Sequence, residues 1–222
     1  LEAIKIPDAP ISLTRDQVNG ILKRLLEDNP NFVGTYTLWE PNEFDGRDAE
    51  YVNAPAHDET GRFIPYWVRD DNGNAVVEAL IEYETAGIGD WYLLPKNTKL
   101  EQIIDPFLYP ILGEDVLLSS LVTPIVVDGQ FYGIAGIDMR ASTLQKFTED
   151  EVIYEGAGRI VLISNNGTLA GATGNADLVG QSVTELSDYY SADDLEKIRR
   201  GEAFTRQYGD DLSVFVPIII GE

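Results

Sequence analysis

Two large aromatic residues, Trp91 and Tyr92, follow a loop of small residues in the run Gly89-Asp90-Trp91-Tyr92. Further along, Phe131-Tyr-Gly-Ile-Ala-Gly-Ile-Asp138 is an apolar strand that ends on a carboxylate. Aromatic faces attract a cation through the ring quadrupole, and a lone carboxylate supplies the counter-charge, so these residues suit a pocket for a small organic cation. Each desolvated face near an ammonium contributes about 0.5 to 2 kcal/mol. A charge-assisted contact to Asp138 adds roughly 1.5 to 3 kcal/mol, and apolar burial can bring the total to the approximately 8 kcal/mol of a micromolar complex. Tyr66, Tyr83, Phe107 and Tyr109 lie on elements expected to line the same cavity, although strand side chains alternate and about half of them should face away. Asp90 could take a second cationic end of a diamine; its alternative is the N-cap of a helix before Trp91. Asp138 has a bland alternative too, as the cap of a turn or following helix, and the aromatics could be plain core.

Other chemistries find little support. The only histidine, His57, stands in a loop beside Asp58 and Glu59, there is no cysteine, and no Gly-x-Ser-x-Gly elbow occurs, so a hydrolase is disfavoured. Asp70, Asn72 and Asn74 occupy the first, third and fifth positions of a calcium loop. The sixth position is Ala75 rather than glycine and the twelfth is Ile81 rather than an acid, which favours a plain turn. No cofactor, metal or catalysis is expected.

The chain has 222 residues, 44% of them apolar, enough for one large or two small domains with a proper core. Its formal charge of −22 repels phosphate backbones and anionic headgroups, which excludes nucleic acid as a partner. No apolar run approaches the roughly 18 residues of a spanning helix. The chain starts at Leu1 and stops just after an apolar strand, as expected of a piece of a longer protein whose flanking segments would anchor it.

Thr14-Arg-Asp-Gln17 has the form of a capping box and opens a helix ending at Asn29-Pro30, with Val18, Ile21, Leu22, Leu25 and Leu26 as one core-facing stripe. Strands are expected over Phe32–Trp39, Arg62–Val68 and Ala75–Tyr83, the last two forming a hairpin around Asp70–Asn74. A helical start covers Trp91–Lys96, and an irregular stretch holds Asp105-Pro-Phe-Leu-Tyr-Pro110. Leu117–Val127 and Phe131–Asp138 give the strongest hairpin signal, around Asp128-Gly129. After a short helix at Ala141–Phe147 the acidic, glycine-bearing stretch from Thr148 to Gly158 marks a domain boundary. The pattern then repeats in miniature: strands at Arg159–Ser164 and Leu169–Ala172, a helix capped by Ser191, and a hairpin of Phe204–Tyr208 with Leu212–Ile220. The fold class is α+β, two modules of antiparallel strands with flanking helices.

Phe32-Val-Gly-Thr-Tyr-Thr-Leu-Trp-Glu-Pro-Asn-Glu-Phe-Asp-Gly46, Gly61-Arg-Phe-Ile-Pro-Tyr-Trp67, Asp90-Trp-Tyr92, Asp105-Pro-Phe-Leu-Tyr-Pro110 and Gly133-Ile-Ala-Gly-Ile-Asp138 resemble the extracytoplasmic double Cache sensor domain of chemoreceptors and sensor kinases. Arg159-Ile-Val-Leu-Ile-Ser-Asn-Asn-Gly-Thr168 with Leu178-Val-Gly-Gln-Ser-Val183 looks like the start of a second module. The resemblance implies two tandem PAS-like Cache modules joined by an N-terminal helix. Residues 1–30 would be the helical segment, 31–148 the membrane-distal, ligand-binding module, and 149–222 a membrane-proximal module truncated at its C-terminus. It further implies an extracytoplasmic, membrane-anchored receptor, with pairing into a homodimer and the nature of the output domain left open.

In the amino-acid-sensing branch of that family an arginine two residues before the Trp-Tyr pair clamps the ligand carboxylate, and the strand-end aspartate takes the ammonium. Carried over, the pair is Trp91 and Tyr92 and the aspartate is Asp138, but the arginine position holds Gly89. An amine end is provided for and an acid end is not. The expected ligand is therefore a small cationic amine or quaternary ammonium compound. A purine-like heterocycle or an amino acid in the same fold is the alternative, and a purely structural ectodomain the rival from another class.

Overall fold

The computed structural model describes residues 1–6, 11–187 and 190–219. Within it the chain forms two compact units. The first comprises Leu1–Ile104, Leu108–Val116 and Ser120–Met139, and the second Asp105–Phe107, Leu117–Ser119 and Arg140–Glu222.

Helix α1 (Arg15–Asp28) begins at the expected capping box: the Thr14 side chain accepts from Gln17 N, and the Gln17 side chain accepts from Thr14 N. Of its apolar stripe, Val18, Leu22 and Leu26 are buried, whereas Ile21 and Leu25 are exposed, so the core-facing face is narrower than the spacing predicts. Three strands follow, β1 (Gly34–Trp39), β2 (Pro65–Arg69) and β3 (Ala75–Ala79). Helix α2 (Asp90–Thr98) comes next, then β4 (Gln102–Ile103), β5 (Phe107–Ile111), β6 (Glu114–Val127) and β7 (Gln130–Arg140). The seven strands make one sheet in the order β3-β2-β1-β7-β6-β4, with β5 also paired to β6. The stretch around Asp105–Pro110 is thus not irregular as expected. Pro110 is accommodated because β5 lies off the main path of the sheet, where a missing donor is tolerated. Strand β3 stops at Ala79, short of Tyr83.

β1 is central, antiparallel to both β2 and β7, and buried on both faces. Period-two alternation sends Thr35 and Trp39 to the α1 side, where the Thr35 hydroxyl donates to Leu22 O and Trp39 joins Val18, Leu22, Phe44, Phe63 and Ile125 in the core. Gly34, Tyr36 and Leu38 fall on the opposite face. The β6–β7 hairpin turns at Asp128-Gly129, whose φ of 51° and 77° are the paired left-handed conformations of a type I′ turn. The β2–β3 turn is the plain one expected: Asp70 accepts from the backbones of Asn72 and Asn74 and from the Asn74 side chain.

In the second unit, helix α3 (Ala141–Asp150) is tied to strand β9 (Leu169–Ala172), which pairs with β8 (Val161–Ile163). The Gln145 amide bonds both backbone groups of Ala172, while Leu169, Ala172 and Val183 form a small core. Helix α4 (Ala192–Arg199) is capped by Ser191, and strands β10 (Phe204–Tyr208) and β11 (Asp211–Phe215) form the last hairpin. The strand expected as far as Ile220 ends at Phe215, and Ile220 lies outside the described residues.

Candidate functional site: an aromatic ring around a buried carboxylate

The β1–β7 register places Gly34 opposite Asp138 and Tyr36 opposite Gly136, and β2 sets Tyr66 opposite Tyr36. Strand alternation puts all of these on one face of the sheet, which is why residues so distant in sequence meet. Asp138 is 4% exposed. It is not a cap: its Oδ2 accepts from the Tyr66 hydroxyl at 2.6 Å and its Oδ1 from Ser120 Oγ at 2.5 Å, while the N-cap position of α3 is Arg140, with no side-chain cap bond. Burial raises its pKa to about 6, against the pull of the Ser120 and Tyr66 hydrogen bonds. Among the described residues no lysine or arginine forms an ion pair with it.

Four rings stand around this carboxylate, each in edge-to-face contact with the next. Centroid separations are 5.8 Å for Tyr36–Tyr66, 5.8 Å for Tyr66–Tyr109, 6.0 Å for Tyr109–Trp91 and 5.6 Å for Trp91–Tyr36. Trp91 enters from the first turn of α2, and Tyr109 from β5, where its hydroxyl both donates to Ile81 O and accepts from Ile81 N. Among the described residues, Trp91 Nε1 is buried without a hydrogen-bond partner, and the Tyr36 hydroxyl lies against Ser120. Burial and the charge of Asp138 hold the Tyr36 and Tyr66 phenols well above their ordinary range, so both are protonated donors.

Of the expected site residues, Tyr66, Trp91, Tyr109 and Asp138 come together here. Tyr92 turns to a neighbouring polar cluster: its hydroxyl donates to Glu40 and accepts from Arg62 and Lys96, and Glu40 pairs with both bases. The Arg62 guanidinium also lies over the rings of Tyr83 and Tyr92, and the Tyr83 hydroxyl is spent on Asp58. Asp90 is neither a ring residue nor the N-cap, which is Gly89; its carboxylate accepts from Gly87 N in the turn before α2. Phe107 belongs to the second unit. Sequence reasoning missed Tyr36 and Ser120. The signal for Ser120 was a polar Ser119-Ser120 pair inside an otherwise apolar strand.

Gly89 is required where it stands. A Cβ there would lie 2.4 Å from Glu82 O and 2.7 Å from Thr85 O, both backbone atoms, so no side chain, arginine included, fits without moving the loop. Gly89→Ala is expected to cost about 1 to 3 kcal/mol in chemical denaturation. Unchanged stability would show that the loop yields.

Residues 18–146, more than half of the chain, match the family model described as the first PDC sensor domain of methyl-accepting chemotaxis protein-like receptors. The chain belongs to this family. It is 28% identical over 92% of its length to the methyl-accepting chemotaxis protein TlpQ of Pseudomonas aeruginosa, and spans 30% of that protein. Among solved structures it is similar to the extracellular domains of mmHK1S-Z3 and mmHK1S-Z2, both assigned as histidine kinases. For the first, identity is 34% and the TM-score 0.73, covering 87% of this chain and 68% of that one. For the second the values are 29%, 0.74, 92% and 77%. The periplasmic sensory domain of the Campylobacter jejuni chemoreceptor Tlp1 shares the fold at 18% identity, with a TM-score of 0.62 over 94% of this chain and 75% of that one. The chain is thus a sensor domain of the signal-transducing kind, and the solved relatives at 34% and 29% identity are extracellular domains. Among the described residues no helix is long and apolar enough to cross a membrane.

Proposed function

We propose that the first unit is the membrane-distal, ligand-binding module of a membrane-anchored receptor, and that it takes a small organic cation carrying at least one N–H. The second unit would be the membrane-proximal module. The observation that carries this reading is Asp138: a buried carboxylate bonded by one member of a cycle of four aromatic rings, with no ion-paired lysine or arginine among the described residues. An isolated buried charge is costly, and a bound ammonium would neutralise it. Each carboxylate oxygen has accepted one hydrogen bond, and a carboxylate offers about four such positions. The remaining positions favour an ammonium with hydrogens to donate over a quaternary ammonium, which has none.

The crowding at Gly89 argues against an amino acid held by a clamp at that position. A purine-like heterocycle is the second reading, favoured by the buried Trp91 Nε1 donor, which has no partner among the described residues and which a ring nitrogen or carbonyl could meet. The test is calorimetric titration of the purified domain with methylammonium through tetramethylammonium, short diamines, purines and amino acids. Primary amines are expected to bind, with affinity falling at least tenfold on full methylation. Binding of amino acids or purines with none by amines would refute the cation reading.

A further inference from the structure

Two glycines of the ring-bearing face are demanded by space rather than by backbone conformation. Neither Gly34 nor Gly136 has a positive φ. A Cβ on Gly34 would lie 2.3 Å from the Tyr66 ring and 2.7 Å from its hydroxyl oxygen; one on Gly136 would lie 2.4 Å from the Tyr36 ring and 2.5 Å from its hydroxyl. In both cases the three nearest atoms all belong to that single tyrosine. The register explains the pattern. Tyr36 pairs directly with Gly136 and rests on it, whereas Tyr66 pairs with Tyr36 but leans two residues along β1 onto Gly34, the residue opposite Asp138. That lean is what carries its hydroxyl to Asp138 Oδ2.

We infer that Gly34 and Gly136 are positioning residues of the cage, whose bare backbone seats the Tyr66 and Tyr36 rings against the sheet and so sets the Tyr66 hydroxyl on Asp138. A side chain at either position lifts a ring off the sheet, and at Gly34 it withdraws the Tyr66 hydroxyl from the carboxylate. Any part these residues play in ligand selection rests on the cation reading above; the seating itself does not.

The experiment therefore reads Asp138 directly, by NMR titration of its side-chain carboxyl in the ligand-free domain. Tyr66→Phe removes one stabilising hydrogen bond and is expected to move the midpoint upward by roughly one pH unit. Gly34→Ala is expected to move it upward by a similar amount with Tyr66 still present, and to weaken methylammonium binding at least tenfold. A Gly34→Ala midpoint equal to wild type overturns the inference. If Gly34→Ala prevents folding, stability in the Tyr66→Ala background decides. With the ring gone the alanine should be tolerated, and an equal loss in both backgrounds overturns the seating. The pair Gly136→Ala and Gly136→Ala/Tyr36→Ala gives the same comparison on the neighbouring strand. A wild-type domain that binds no cation while Gly34→Ala still shifts the Asp138 midpoint would sink the cation reading and sustain this one.

Discussion

Asp138→Asn will weaken amine binding on the order of 100-fold and leave the domain folded. The substitution removes the charge that a bound ammonium would pair with, and truncating one partner of a buried, hydrogen-bonded charge pair costs about 2 to 5 kcal/mol. The expected loss is on the order of 100-fold in affinity, read by calorimetry. The same carboxylate makes the wild type sensitive to pH. Its folded pKa is raised to about 6, above the ordinary value of 3.8, so the native state holds this proton where the unfolded state does not. Stability from this group is therefore greatest below about pH 4 and declines as pH rises to about 6, by about 3 kcal/mol in total. Ligand affinity runs the other way, falling about tenfold per unit below pH 6 because the cation needs the ionised form. The ligand-free asparagine variant should lack this segment of pH dependence and should equal or exceed wild type in stability at pH 7. If the two stability curves run parallel from pH 4 to 7, Asp138 is not the buried charge described here.

Arg15→Met will destabilise the first unit by about 3 to 5 kcal/mol. Arg15 is the first residue of α1, a position where the helix dipole disfavours a cation, and it is 3% exposed. It is held by Asp45 at 2.6 Å, Asp48 at 2.7 Å and Gly61 O at 3.0 Å, with its guanidinium 4.2 Å above the Tyr51 ring. Removing it leaves Asp48, itself 4% exposed, without its counter-ion. A shift in urea midpoint at unchanged m-value checks this, and Arg15→Met/Asp48→Asn should recover part of the loss. A loss below about 1 kcal/mol would mean that the cluster relaxes into water instead.

Much of this architecture is legible from local pattern. The Thr14–Gln17 capping box, the Asp128-Gly129 turn and the Ser191 cap each carry their own stereochemistry, and the structure has all three. What local pattern leaves open is direction. Trp91 and Tyr92 are neighbours, yet one joins the ring at Asp138 and the other the Arg62–Glu40–Lys96 cluster, a divergence set by the orientation of a helix that no neighbouring residue encodes. Nothing local marks Arg15, inside the capping box, as buried, because the carboxylates that bury it arrive from a loop thirty and more residues later. Asp105–Pro110 reads as irregular because prolines disfavour central strands, and only the long β6 supplies the partner that makes it a strand. Tyr36 was hidden in a strand buried on both faces, where hydrophobic alternation is silent.

The central position of β1 has one more consequence. Its pairing with β7 joins segments about a hundred residues apart, as in the Thr37 hydroxyl donating to Ile134 O across 97 positions. Contacts of such range form late and slowly, since the intervening loop must be ordered before they can contribute. The ring of aromatics has walls on both sides of that seam, so the proposed site and the completed sheet arise in the same event. A chain that has crossed the membrane unfolded holds no half-formed receptor for the ligand to find. A ligand present during folding then acts as a fastener, drawing the equilibrium toward the closed sheet by mass action.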